Sequence, residues 1–125
     1  MTDAEFTRAF ENCELSNEGF HHRDHLRLAW IYLQRYGEQE AGVRIAASIR
    51  NFAAHFGKTD KYHETMTIAW MRLVAHESKG SFEETLAAAP MLLEKQTLAA
   101  FYSESLLQSD RAKKEFVEPD LKPLP

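Results

Sequence analysis

The spacing of apolar residues constrains the fold of this chain more than any other feature. Apolar residues recur three and four positions apart over long segments, as in the series Ile45, Ile49, Phe52 and Phe56. This period places apolar side chains along one face of an α-helix. No segment shows the strict alternation that predicts a half-buried strand. The sequence therefore predicts an all-α fold.

Glycines, prolines and capping patterns divide this periodic chain into about five or six helices. The predicted helices run from the capping box Thr2-x-x-Glu5 to about residue 15, and over residues 22–36, 39–56 and 62–77. A further helix begins at Ser81-x-x-Glu84 and is interrupted or restarted at Pro90, and a short helix lies near residues 109–116. At 125 residues, we expect one helical-bundle domain over residues 1–125. Residues 117–125 are proline-rich and should form an extended tail that packs on the body through Leu121 and Leu124.

Charge and composition exclude several classes of protein. Lys and Arg number 15 against 19 Asp and Glu, so the net charge is −4 and no basic patch predicts nucleic-acid binding. No apolar run approaches the roughly 20 residues of a membrane-spanning helix. The first residues lack an apolar signal region, and the single Cys13 cannot form an internal disulfide. We therefore expect a soluble, cytoplasmic protein in which Cys13 is a small core residue.

Histidines stand where the apolar face of the second helix should begin. The stretch "FHHRDH" covers residues 20–25, and a helix turns by about 100° per residue. His22 and His25 are three apart and fall on the same side as Leu26 and Ala29, whereas Asp24 points outward. His21 lies at the edge of the apolar face.

A third histidine begins the fourth helix in a similar way. His63 precedes Met66 and Trp70 on the predicted apolar face, and Glu64 lies on its flank. The predicted solvent face of the same helix carries Lys61, Thr65, Arg72 and His76. The loops between the second, third and fourth helices are short, which favours antiparallel neighbours. The second and fourth helices should then run parallel, with His22, His25 and His63 in one layer.

Three converging histidines predict a metal site. Neutral imidazole is the commonest transition-metal ligand, and two histidines at i and i+3 can share one ion. His22, His25 and His63 are the candidate ligands, with Glu64 as a further ligand or catalytic acid/base group. This ligand set suits Zn, Fe, Mn, Ni or Cu. The leading hypothesis is a small metal-binding protein, or a metal-dependent enzyme acting on an unknown small molecule.

Two other hypotheses explain the same residues without a metal. The histidines can be structural groups in a helical interaction module, which would dimerise or dock through an apolar face and catalyse nothing. Alternatively, His63 with Glu64, or His25 with Tyr62, can form an acid/base pair. Known signatures do not decide among these hypotheses, because "HETMT" lacks the second histidine of the H-E-x-x-H zinc motif.

Three motifs together resemble those of a group of small uncharacterised bacterial all-α proteins. They are F-x-H-x-D-H-L-x-x-A-W at residues 20–30, Y-H-E-T-x-T at residues 62–67 and P-D-L-x-P-L-P at residues 119–125. The resemblance covers most of the chain. It implies functional positions and no particular reaction, and His21 has no place in its pattern. The implied positions are His22, Asp24, His25, His63 and Glu64.

Overall fold

The computed structural model describes all 125 residues and contains helices and turns but no strand. Its α-helices are α1 (Asp3–Glu11), α2 (His22–Tyr36), α3 (Glu38–His55), α4 (Glu64–Glu77), α5 (Phe82–Ala88), α6 (Glu104–Leu107) and α7 (Asp110–Lys114). Short 3-10 helices span Thr59–Lys61, Pro90–Leu93 and Lys95–Ala100. The predicted all-α fold is confirmed, with five helices of seven or more residues and two of about one turn.

A single glycine joins the two longest helices. Gly37 separates the end of α2 from the beginning of α3, and its backbone angles are φ 79° and ψ 165°. Residues with a side chain rarely adopt this conformation, whereas glycine adopts it freely. The Gly37 N–H donates to the Leu33 carbonyl, and its own carbonyl accepts from the Ala41 N–H. Gly37 therefore completes both helix ends while the chain reverses.

A second reversal brings α4 beside α2. Gly57 follows α3 with φ 67°, and its N–H donates to the carbonyl of Ala54 while the Lys58 N–H donates to Ala53. This hydrogen-bond pair is a Schellman motif, which commonly ends a helix at a glycine. The 3-10 turn Thr59–Lys61 then leads into α4. Two reversals give α2 and α4 the same direction, as the loop lengths predicted.

One continuous cluster of 24 buried residues forms the core, from Phe6 in α1 to Val117 beyond α7. Phe10 stacks on Phe52 with 4.6 Å between ring centroids and on Phe20 at 4.8 Å, so α1 is fixed to α3 and to the start of α2. Each large apolar side chain removed from water contributes about 1.5–3 kcal/mol. None of the helices has the length and apolar character needed to cross a membrane.

The first helix ends earlier than its sequence pattern predicts. It stops at Glu11 rather than near residue 15, because Cys13 adopts a left-handed conformation with φ 58°. The Cys13 N–H donates to Phe10 and the Glu14 N–H donates to Ala9, which forms another Schellman motif. Cys13 therefore packs beside the core from a turn, only partly buried, and not from a helical face.

The prediction that Thr65 faces solvent is wrong. Its side chain is fully buried, and its hydroxyl donates to the Glu115 carbonyl at 2.9 Å and accepts the Val117 N–H at 3.1 Å. The segment after α7 covers this side of α4, which the local pattern of α4 does not reveal. Helix α4 also begins two residues later than predicted, at Glu64.

The last residues contact the body through their backbone more than through leucine side chains. The Tyr102 hydroxyl donates to the Val117 carbonyl at 2.7 Å, and the Leu121 N–H donates to Phe101 at 2.9 Å. The Leu121 side chain is 57% exposed, whereas Leu124 packs partly against the core. Of the two predicted tail contacts, the side-chain contact of Leu121 is therefore not observed.

Two glycine substitutions should have opposite effects on stability. Gly37→Ala should lower the free energy of unfolding by about 1–3 kcal/mol, because alanine is strained at φ 79° although nothing lies within 4 Å of its Cβ. Gly42→Ala lies inside α3 and meets only the Ile68 side chain at 3.8 Å, so it should raise stability by about 0.5–1 kcal/mol. Urea unfolding of both variants measures the difference, and equal effects would contradict the assigned role of Gly37.

Candidate functional site

A cavity of about 360 Å³ lies where α2 and α4 begin, and we call it the histidine cavity. Four of the six histidines line it, namely His21, His22, His25 and His63. Its apolar lining includes Phe20, Ile49, Met66 and Trp70, and its other polar lining residues are Lys61, Tyr62, Thr67 and Lys95. The structure thus brings together the three histidines that the sequence analysis placed in one layer.

His63 uses both ring nitrogens to hold the protein together. It is the N-cap of α4, where its Nδ1 accepts the Met66 N–H at 3.1 Å. Its Nε2 lies 2.7 Å from the Leu107 carbonyl, which can only accept, so Nε2 carries the proton. In this arrangement His63 has no free lone pair to offer a metal ion.

His22 uses one ring nitrogen in a similar bridge. Its Nε2 donates to the Leu92 carbonyl at 2.8 Å, and its ring packs edge-on against Trp70 with centroids 4.5 Å apart. Burial lowers the pKa of His22, with a smaller contribution from Lys95, although the bond to Leu92 acts in the opposite direction. His22 is therefore neutral at pH 7, and its Nδ1 is an acceptor with no hydrogen-bond partner in the protein.

His25 differs from the other two because neither of its ring nitrogens is hydrogen-bonded to the protein. The ring packs against Phe20 with centroids 4.5 Å apart and lines the cavity. Burial lowers the pKa of His25 to about 4; His22 and Lys95 lower it further, whereas Asp24 opposes the shift. At pH 7 His25 is a neutral imidazole, with one N–H donor and one acceptor available in the cavity.

The two acidic candidates lie outside the cavity lining. The Glu64 carboxylate accepts from the Tyr62 hydroxyl at 2.5 Å and from Arg50 at 3.0 Å. Burial, followed by this bond to Glu64, raises the pKa of Tyr62. Glu64 therefore orients Tyr62, which does line the cavity. Asp24 accepts the His21 N–H at 3.0 Å and so helps to cap α2.

No three His, Cys, Asp or Glu side chains are arranged to hold a metal ion in this structure. Hydrogen bonds already engage ring nitrogens of two of the three predicted ligands, His22, His25 and His63. His63 has both nitrogens engaged, and His22 has one engaged, so only His25 is entirely free. Binding one ion through all three rings would require His63 to break a hydrogen bond.

Sequence reasoning placed Tyr62 in an alternative acid/base pair with His25 and did not select Lys61, Lys95 or Trp70 as members of the site. Lys61 and Tyr62 immediately precede His63, and this proximity was an available signal. Lys95 has no local signal, because it reaches the cavity from the 3-10 helix Lys95–Ala100, far along the chain.

No protein-family model, curated protein or solved structure matches this chain. The resemblance of the three motifs to a group of bacterial proteins, and the interaction-module hypothesis, stay predictions.

The pKa of His25 predicts a specific pH dependence of stability. Between pH 6.5 and pH 4 the unfolded chain binds a proton at this residue and the folded chain does not, so acidification favours unfolding. His25 alone should lower the free energy of unfolding by about 2 kcal/mol between pH 7 and pH 5. Urea unfolding at pH 7 and pH 5 should show a smaller loss, by about that amount, in His25→Leu.

The exposed His76 provides the matched control for this measurement. His76→Gln removes one histidine from the surface of α4 and should retain the full pH dependence of the wild-type protein. An unchanged pH dependence in His25→Leu would contradict the assignment of a buried neutral imidazole.

Proposed function

We propose that this protein binds a small organic molecule in the histidine cavity. The observation that carries the proposal is the state of His25, a half-buried neutral imidazole that lines the cavity and has no hydrogen-bond partner in the protein. Its ring nitrogens are not sealed inside the protein, so water or a ligand in the cavity can pair with them. A ligand in the cavity would complete both hydrogen bonds of the ring.

The size and lining of the cavity support this proposal. A volume of about 360 Å³ lies near the lower end of the range for small-molecule sites. It corresponds to the volume of about a dozen water molecules. Trp70, Met66 and Phe20 supply an apolar wall, and His25 and Thr67 supply polar groups. Such a combination of apolar surface with a few convergent polar groups is typical of ligand sites.

The same groups support binding better than proton transfer. A general base works best when its pKa lies near the operating pH, and a pKa of about 4 makes His25 a weak base at pH 7. His63 has both nitrogens engaged, and the Tyr62 proton is directed at Glu64. We therefore place His25 in the role of a hydrogen-bonding group for the ligand.

A fragment screen tests the proposal directly. Fragments should shift the NMR signals of the Trp70 indole and the His25 ring. His25→Leu should weaken binding about tenfold, through the loss of about one hydrogen bond. Met66→Trp should abolish binding by filling the cavity, and Val43→Trp, at an exposed site on α3, is the control. Each variant is first checked for unchanged helix content, and undiminished binding in Met66→Trp would overturn the proposal.

A metal ion bound through His22, His25 and His63 is the second candidate function. It is favoured by the fact that the three rings line one cavity, with His25 and the Nδ1 of His22 free. His63 would join them after releasing Met66 or Leu107. Imidazole ligands of this kind suit Zn, Fe, Mn, Ni or Cu, and an open coordination position would allow metal-dependent catalysis.

Elemental analysis of tag-free protein purified without chelators tests this candidate. The expected result is near-stoichiometric metal in the wild-type protein and none in the His22→Ala/His63→Ala double variant. The double variant His55→Ala/His76→Ala, altered at two exposed histidines, should keep the metal. Equal metal content in all three proteins would rule out the proposed ligands.

A further inference from the structure

We infer that the ligand of the histidine cavity is an anion, whose carboxylate or phosphate group binds beside Lys61 and Lys95. The inference rests on the proposed binding function and specifies the chemical class of the ligand. It follows from the distribution of charged side chains around the cavity.

The cavity contains no acidic side chain although the protein is acidic overall. The chain has 19 Asp and Glu residues and a net charge of −4, yet none of these residues lines the histidine cavity. An adjoining cavity of about 310 Å³ shares Phe20, His25 and Tyr62 with it and adds Lys58. It also has no acidic lining residue. Three lysines and no carboxylates therefore line these two adjoining cavities, which favours a negative ligand.

The lysines at this site have no partner within the protein. All five ion pairs of the structure use arginine, and neither Lys61 nor Lys95 lies within 4.0 Å of a carboxylate. Lys61 lies in the turn before α4, and Lys95 begins a 3-10 helix from a distant part of the chain. The fold thus brings two free ammonium groups to one cavity from separate elements.

The surrounding backbone favours the same charge. Both α2 and α4 begin at the cavity, since His22 is the first residue of α2 and His63 is the N-cap of α4. The N-terminal ends of helices carry partial positive charge, and these helices have 15 and 14 residues. Asp24 and Glu64 lie in the first turns of these helices and offset part of this charge, but both are outside the cavity lining and Glu64 is paired with Arg50. Lys61 and Lys95 are the only Lys, Arg, Asp or Glu residues of the lining.

The lining also defines the remainder of the ligand. Trp70, Met66 and Phe20 offer apolar and aromatic contact away from the ammonium groups. A molecule with an aromatic or aliphatic body and one anionic end group would place each part against matching surface. Neutral His25 would add a directional hydrogen bond.

Four probes that share a phenyl ring test this assignment. They are phenylacetate, phenyl phosphate, 2-phenylethanol and 2-phenylethylamine, titrated into the full chain at pH 7 and low salt while NMR follows Trp70 and His25. An anionic probe should bind at least about tenfold more tightly than the alcohol, and the amine should bind most weakly. Added salt should weaken anion binding and leave the alcohol unaffected. Comparison of the two anions identifies the preferred end group.

Two variants with the same net charge distinguish a local effect of Lys61 and Lys95 on anion binding from an effect of the protein's net charge. Lys61→Gln/Lys95→Gln should weaken anion binding about tenfold or more and leave alcohol binding unchanged. Lys79→Gln/Lys114→Gln removes the same charge at exposed positions outside the cavity lining and should bind like the wild-type protein. All these lysines are exposed, so the variants should keep the fold.

The outcomes of these titrations distinguish a failure of the anion assignment from a failure of the proposed ligand binding. If the alcohol or the amine binds in the cavity as tightly as the anions, the anion assignment is wrong and ligand binding stands. If Lys61→Gln/Lys95→Gln binds the anions as tightly as the wild-type protein does, the anion assignment is likewise wrong and ligand binding stands. If no probe shifts Trp70 or His25, both the inference and the proposed binding function are overturned.

Discussion

The reversal of chain direction at Gly37 sets how α2, α3 and α4 lie relative to one another. Only one residue separates α2 from α3, and after the chain reverses there the two helices pack against each other. The second reversal at Gly57 then returns α4 alongside α2. The beginnings of α2 and α4 consequently meet at one end of the molecule. Helix beginnings carry unpaired N–H groups and positive partial charge, which Asp24 and Glu64 in the first turns partly offset. This geometry therefore creates a polar site lined by histidines.

The histidines at that end have divided roles. His22 and His63 donate to the carbonyls of Leu92 and Leu107, which belong to short helical turns. A buried carbonyl without a partner costs about 1–3 kcal/mol, so these two histidines stabilise the packing of the C-terminal third on the bundle. His25 makes no such bond and remains available to the cavity. Three residues that look equivalent in the sequence therefore do different things, because only two of them face a carbonyl.

The spacing of apolar residues predicted those features of the fold that depend on local sequence. It located α2, α3 and α4 to within about two residues and placed three histidines together, since turn lengths and helical spacing are short-range properties. It could not show that Thr65 is buried, because residues 115–117 cover it from a distant part of the chain. The arrival of Lys95 at the cavity and the carbonyl partners of His22 and His63 depend on the same kind of long-range packing. Side-chain direction was predictable, but the availability of each nitrogen was not.

The difference between neutral imidazole and charged ammonium explains how one cavity can select a ligand. Burial and the nearby Lys95 keep His25 neutral at pH 7, so its ring contributes direction and little charge. Lys61 and Lys95 contribute charge through flexible, exposed side chains and little direction. A protonated His25 would add a third cation beside the lysines and would lose its acceptor nitrogen. Because the imidazole stays neutral, an anionic group can be attracted to the lysines while His25 still offers one donor and one acceptor to the rest of the molecule.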